Sequence, residues 1–250
     1  MKFNIEKCKI MHIGNKSRTK TDYFLTNNET QLREKLEITN GERDLGIFIT
    51  SDLKWDKQAN KAANKANFVL GSLKRTFTSW TIDSMRILYT TFVRPHLEYA
   101  SSAWSPYRKP DIKILESVQR RATKLVPSLK NRSYEDRLSS LGLTTLEERR
   151  DRGDMINYFK CEKGFNKVNW YHPNKKMYSL NQIGPSGGIR GQKHRLVRQF
   201  TGNCHQRNNF FINRIIPKWN KLPSDVINAN SINMFKNRYD KFIELEKHNE

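Results

Sequence analysis

The chain has 250 residues, and Lys plus Arg outnumber Asp plus Glu by 46 to 25, a formal net charge of +21 at pH 7. Such an excess costs self-repulsion unless a polyanion offsets it, so RNA or DNA is the first partner expected and an anionic membrane surface the second, with a basic protein lacking any polyanion partner as the plain alternative. A hydrophobic fraction of 36% with 11% aromatics excludes wholesale disorder, while a mean hydropathy of −0.82 predicts a thin core.

No apolar run approaches the ~20 residues that span a bilayer, and no signal-peptide pattern opens the chain, so no membrane partner is expected. The expectation is an intracellular protein, with nucleus and cytoplasm not distinguished. Cys8, Cys161 and Cys204 are odd in number and far apart, which fits a reducing compartment better than a disulfide framework.

In chain order, residues 2–50 read as short strands. Cys8 to Ile13 alternates around Ile10 and His12, Tyr23 to Leu25 is a short apolar patch, and Leu45 to Ile49 is apolar, aromatic and β-branched. From Leu53 the period changes. A helix is predicted over 55–77, with Ala59, Ala62, Ala66, Leu70, Leu73 and Phe77 on one face and Lys54, Lys57, Lys61, Lys65 and Arg75 roughly opposite. Asp56 is the one acidic residue in that span, so the basic stripe is not a salt-bridge ladder; a solvated surface and a polyanion-binding face both fit it.

A second helix is predicted from about Thr81, with Ile82, Met85, Leu88 and Phe92 inward and a kink or end at Pro95. A third begins near Pro110, places Ile112, Leu115, Val118, Ala122 and Leu125 on one face, and gathers Arg120, Arg121 and Lys124 in its last turns, where cations complement the helix dipole. Further helices are expected over 133–140 and 145–160, the latter opened by a capping box of Thr144 with Glu147. Residues 166–209 lack periodicity and carry the Gly184-Pro185-Ser186-Gly187-Gly188 cluster among many basic residues, which predicts a basic linker. Beyond it, 210–222 is helical in part, and Ser231 caps a last helix with Ile232, Phe235, Tyr239 and Phe242 inward.

Catalytic chemistry has no visible home. Two-metal nucleotidyl transfer needs adjacent carboxylates, and the sequence holds no Asp-Asp pair. Glu147, Glu148, Asp151 and Asp154 lie among Arg149, Arg150 and Arg152 and read as helix-surface ion pairs. His194, Cys204 and His205 lack a fourth closely spaced ligand for zinc. There is no Gly-rich phosphate loop, and neither His96 nor His172 has a nearby Ser or Cys in a nucleophile context.

Taken together, several motifs resemble the C-terminal part of the reverse transcriptase of non-LTR retrotransposons of the LINE and jockey-like kind. Phe3-Asn4-Ile5-Glu6-Lys7-Cys8-Lys9-Ile10-Met11-His12-Ile13-Gly14 is similar to the family's motif D, and Asp44-Leu45-Gly46-Ile47-Phe48-Ile49 with Leu53-Lys54-Trp55 to its motif E, the primer-grip hairpin. Val93-Arg94-Pro95-His96-Leu97-Glu98-Tyr99-Ala100, Trp104-Ser105-Pro106 and Leu115-Glu116-Ser117-Val118-Gln119-Arg120-Arg121-Ala122-Thr123-Lys124 resemble its thumb and post-thumb region. Ser133-Tyr134-Glu135-Asp136-Arg137-Leu138, the acidic and basic run from Leu146 to Asp154, Phe210-Phe211-Ile212-Asn213-Arg214 and Trp219-Asn220-Lys221-Leu222-Pro223 extend the likeness toward the end.

The resemblance implies an α+β, mainly α fold in four segments: a palm-edge β remnant over 1–52, a thumb-like helical domain over 53–165, the basic linker over 166–209 and a C-terminal helical segment over 210–250. It implies a primer-grip-like role for Leu45 and Gly46, and nucleic-acid binding by Lys54, Lys57, Lys61, Lys65, Arg75, Arg120, Arg121 and Lys124. Lys7 occupies the motif D position that assists nucleotide chemistry in the family; without metal carboxylates a structural role is expected of it. The carboxylates that hold the family's Mg²⁺ precede motif D, so this chain is expected to use no cofactor and to bind a template–primer duplex of RNA or DNA without copying it. The alternatives are a part of an active RNA-directed DNA polymerase completed by an upstream segment, and a relic without function. A rival site for the same binding is the stretch around Lys193, Arg195 and Arg198.

Overall fold

The computed structural model describes residues 7–14, 21–27, 31–168, 195–196, 198 and 202–249. The fold is α+β and mainly helical. Most of the 166–209 stretch, with His172, Lys193, His194 and the Gly-Pro cluster, lies outside the described residues.

Among the described residues, six short strands form three two-stranded sheets. β1 (Lys9–Ile10) pairs in parallel with β4 (Glu37–Ile38), and β2 (Phe24–Thr26) pairs antiparallel with β3 (Arg33–Lys35). β5 (Gly41–Asp44) and β6 (Ile47–Thr50) form a hairpin in register Gly41 to Thr50 and Asp44 to Ile47. The strand expected over Cys8 to Ile13 shrinks to two residues, and Leu45, expected to begin a strand, is instead the first residue of the hairpin loop. Leu45 and Gly46 both sit at positive φ, +44° and +84°, the conformation of the two-residue turn whose twist matches the flanking strands.

Ten helices follow. α1 (Asp56–Thr76) lies along α4 (Lys109–Thr123) and buries Ala59, Ala62, Ala66 and Leu70, as the periodicity predicts; Phe77, placed on that face, is 40% exposed beyond the helix end. α2 (Ile82–Leu88) and α3 (Arg94–Glu98) are joined by one π-helical stretch, Tyr89–Val93. The wider turn changes the inward face. Met85, Tyr89, Val93 and Leu97 are fully buried at four-residue spacing, whereas Ile82 and Phe92, expected inward, are 38% and 50% exposed. Pro95 falls in the first turn of α3, where its missing N–H costs little, so the backbone continues past it.

α5 (Tyr134–Leu141) and α6 (Leu146–Glu162) come next, then α7 (His205–Asn208), α8 (Phe211–Lys221), α9 (Ser224–Ile227) and α10 (Ile232–Asn249). The capping box of α6 is Thr145 with Glu148, one residue later than expected: the Thr145 hydroxyl accepts from the Glu148 N–H, and the Glu148 carboxylate accepts from the Thr145 N–H. The backbone forms two compact units. One comprises residues 1–99 with 106–141, the other 100–105 with 142–250. α6 thus groups with the C-terminal helices.

The first unit carries a buried polar network: the Tyr89 hydroxyl donates to Gln119 Oε1 at 2.7 Å, Gln119 Nε2 donates to the Tyr134 hydroxyl at 3.0 Å, and Tyr134 donates to Glu116. Burial, with the Glu116 carboxylate beside it, holds the Tyr134 phenol well above its ordinary value of 10. The second unit has an aromatic core in which the Phe159 and Phe235 rings stack at 4.2 Å and Trp219 meets Tyr158 edge-on at 4.7 Å. The acidic run of α6 is tied into this unit by partners from other elements. Arg152 grips Asp240 at 2.6 and 2.7 Å, Lys218 pairs with Asp151, and Arg214 forks onto Asp154 at 2.7 and 3.0 Å. Asp154, expected on the helix surface, is 3% exposed. Burial pushes its carboxyl above the ordinary 3.8 more than Arg214 pulls it down.

Candidate nucleic-acid interface

The hairpin of β5 and β6 is short, yet three contacts fix its place within the first unit. The Phe48 N–H donates to Gln58 Oε1 of α1 at 2.8 Å. The Tyr99 hydroxyl, just past α3, donates to the Leu45 carbonyl at 3.0 Å. Gly46 packs so closely on that ring that an added Cβ would lie 3.1 Å from Tyr99 Cε1, so glycine serves here both for its φ and for its size. At the far end of the hairpin the Asp52 carboxylate accepts from the Thr50 hydroxyl at 2.7 Å and the Lys54 N–H at 3.2 Å. Burial alone would push that carboxyl up, but Thr50 and Lys54 hold it down at about 2.

Between the hairpin, α1 and α3 lies a groove of about 590 Å³. Its cationic lining is Arg43 from β5 and Lys61 and Lys65 from α1, with His96 and Tyr99 across from them. Lys61 Nζ stands 3.5 Å and Lys57 Nζ 5.8 Å from the centre of the Phe48 ring, within cation–π range. Among the described residues, Lys57, Lys61 and Lys65 are exposed and pair with no carboxylate. Burial and the nearby Lys65 ammonium hold the His96 imidazole below its ordinary 6.5. Lys61 and Lys65 thus line the groove without a carboxylate partner among the described residues.

The structure brings together some of the residues singled out from the sequence and separates others. Gly46, Lys61 and Lys65 line the groove, Leu45 is tied to it through Tyr99, and Lys57 stands beside Phe48. Lys54 precedes α1, is half-buried and pairs with Asp52 at 3.0 Å. Arg75 ends α1 and donates to the Ser72 hydroxyl. Arg121 donates to Asn67 Oδ1 at 2.7 Å, Arg120 lies 3.7 Å over the Tyr134 ring, and Lys124 caps α4 exposed to solvent. Lys7 is exposed just ahead of β1.

Arg43, His96 and Tyr99 are the site residues that sequence reasoning missed. Arg43 sits in a charged strand without apolar alternation, and Tyr99 meets Leu45 across 54 positions, a separation no local period encodes. Among the described residues no group of three or more His, Cys, Asp and Glu side chains is placed to hold a metal ion, and no helix is long and apolar enough to cross a membrane.

No family model matches the chain, and no solved structure matches it. An uncharacterized protein of Caenorhabditis elegans is 29% identical over 119 residues, covering 46% of this chain and 60% of that protein. The chain thus spans about three fifths of the length of that relative.

Proposed function

We propose that the chain is the palm-edge, thumb and C-terminal portion of a reverse transcriptase of the non-LTR retrotransposon kind, and that it holds a template–primer duplex through its phosphates without copying it alone. The observation that carries this reading is the Leu45 and Gly46 loop, fixed on Tyr99 beside a groove lined by Arg43, Lys61 and Lys65. A strained, exposed loop next to unpaired cations is the arrangement that grips a strand end while the cations neutralise its backbone. None of these groups reads base edges, so binding is independent of sequence. Copying, under this reading, requires metal-binding carboxylates supplied by another segment or another chain. The compartment follows the nucleic acid, in nucleus or cytoplasm.

Equilibrium binding of several unrelated duplexes across a salt series tests the reading. Equal affinities that fall steeply and linearly in log K against log salt are expected, together with no nucleotide incorporation in a primer-extension assay with Mg²⁺. Weak binding that ignores salt, or incorporation above an enzyme-free blank, contradicts it.

A further inference from the structure

We propose that the exposed face of α1 carries a stacking platform for an unpaired base, with Phe68 as its ring, so that the chain holds the single-stranded extension beside a duplex as well as the duplex itself. This rests on the duplex-binding reading above. Phe68 is 73% exposed in the middle of a 21-residue helix. At about 100° per residue it falls within the basic stripe, three positions after Lys65 and seven from both Lys61 and Arg75, and away from the buried Ala and Leu face.

A single exposed Phe is ordinary on a protein surface, but its surroundings here are not. Gly71, one turn on, leaves the space beside the ring open: the nearest atom to a Cβ built there is the Arg75 Nη1 at 3.8 Å. The Arg75 guanidinium is folded back along the helix, with Nη2 3.2 Å from the Ser72 hydroxyl. Arg121 of α4 reaches the preceding residue, Asn67, at 2.7 Å. Along the helix Phe68 thus lies between Lys61 and Lys65 on one side and Arg75 on the other, and the one acidic residue of α1, Asp56, lies about 18 Å away along the axis at 1.5 Å per residue.

A cationic surround with one open aromatic face matches single-stranded nucleic acid, whose phosphates take the charges and whose bases present π-faces to the ring. A duplex keeps those faces stacked on one another and gains nothing from the ring. An apolar protein partner would have to desolvate the surrounding cations without neutralising them. The occupant is thus the unpaired strand, and no base identity is selected, because every base has a π-face.

The test compares the full chain with Phe68→Ala, Phe68→Leu and Phe68→Trp on two probes, a blunt duplex and the same duplex with a single-stranded tail containing 2-aminopurine. The wild type should bind the tailed probe more tightly and quench the 2-aminopurine. Phe68→Ala and Phe68→Leu should each lose about tenfold in affinity for the tailed probe (~1.4 kcal/mol) and lose the quenching, while blunt-duplex affinity and its salt slope stay unchanged. Phe68→Trp should keep both. Equal wild-type affinity for the two probes, or unaltered quenching by Phe68→Ala, overturns the platform while leaving duplex binding intact. Full retention by Phe68→Leu overturns stacking in favour of a merely apolar contact. Failure of the wild type to bind either probe removes the duplex reading first and the platform with it.

Discussion

Leu45 is held at φ +44° with its side chain 84% exposed, a combination that gains almost nothing from burial and costs about 1–2 kcal/mol in backbone sterics. Asn is at ease in this first position of the two-residue turn. Leu45→Asn should therefore raise the denaturation midpoint, by up to about 1 kcal/mol in stability, and weaken duplex binding at the same time. That divergence is expected when strain is retained for function; a lower midpoint contradicts the assignment of strain. Gly46→Ala should do the opposite to stability, lowering it by about 1–3 kcal/mol, because the added methyl meets both a positive φ and the Tyr99 ring at 3.1 Å. Urea unfolding of the two variants beside the wild type decides both expectations.

Among the elements, α6 shows how an N-terminus is held from both sides. Its capping box closes on itself through Thr145 and Glu148, and Glu148 also receives Lys247 from α10. Burial alone would push the Glu148 carboxyl up, but the Lys247 ammonium and the Thr145 N–H together bring it below the ordinary 4.5. A depressed folded value means stability that is present above the ordinary value and lost as pH falls through the folded one. Unfolding midpoints measured between about pH 6 and pH 3 should fall, and Lys247→Gln should make that fall shallower. Thr145→Ala should cost about 1 kcal/mol at neutral pH; a pH profile that Lys247→Gln leaves unchanged contradicts the linkage.

The same elements mark how far the sequence can be read. The Ala and Leu face of α1, the helix opened near Pro110 and the Ser231 start of α10 follow from spacing and capping chemistry, which act over one turn. The π-helical stretch at Tyr89–Val93 does not, since one extra residue per turn leaves no signal in composition and moves Phe92 outward and Val93 inward. Strands β3, β4 and β5 are too charged to show alternation. Asp151, Asp154 and Arg152 each have a partner on a helix 60 or more positions away, a separation that no local spacing encodes. At the site, the basic stripe is visible as a pattern, whereas Leu45 reads as the start of a strand and its turn with Gly46 comes from the hairpin register. Their meeting at one groove depended on Tyr99 and His96, which only tertiary packing positions.

For the molecule as a whole, a net charge of +21 guarantees some attraction to any polyanion, so affinity alone says little about where binding occurs. Location is what separates the groove beside α1 from the rival stretch at Lys193, Arg195 and Arg198. Each lysine that reaches a phosphate releases about one counterion, so a site shows itself in the salt slope rather than in the affinity at one salt concentration. The decisive measurement is duplex binding across a salt series for wild type, for Lys57→Gln with Lys61→Gln and Lys65→Gln, and for Lys193→Gln with Arg195→Gln and Arg198→Gln. Gln keeps helix propensity and most of the side-chain length, so α1 should persist. The first triple variant should lose affinity about equally for unrelated duplexes and flatten the slope by up to about 2–3, with the second close to wild type. An unchanged slope in the first variant and a large loss in the second would contradict the placement of the interface on α1.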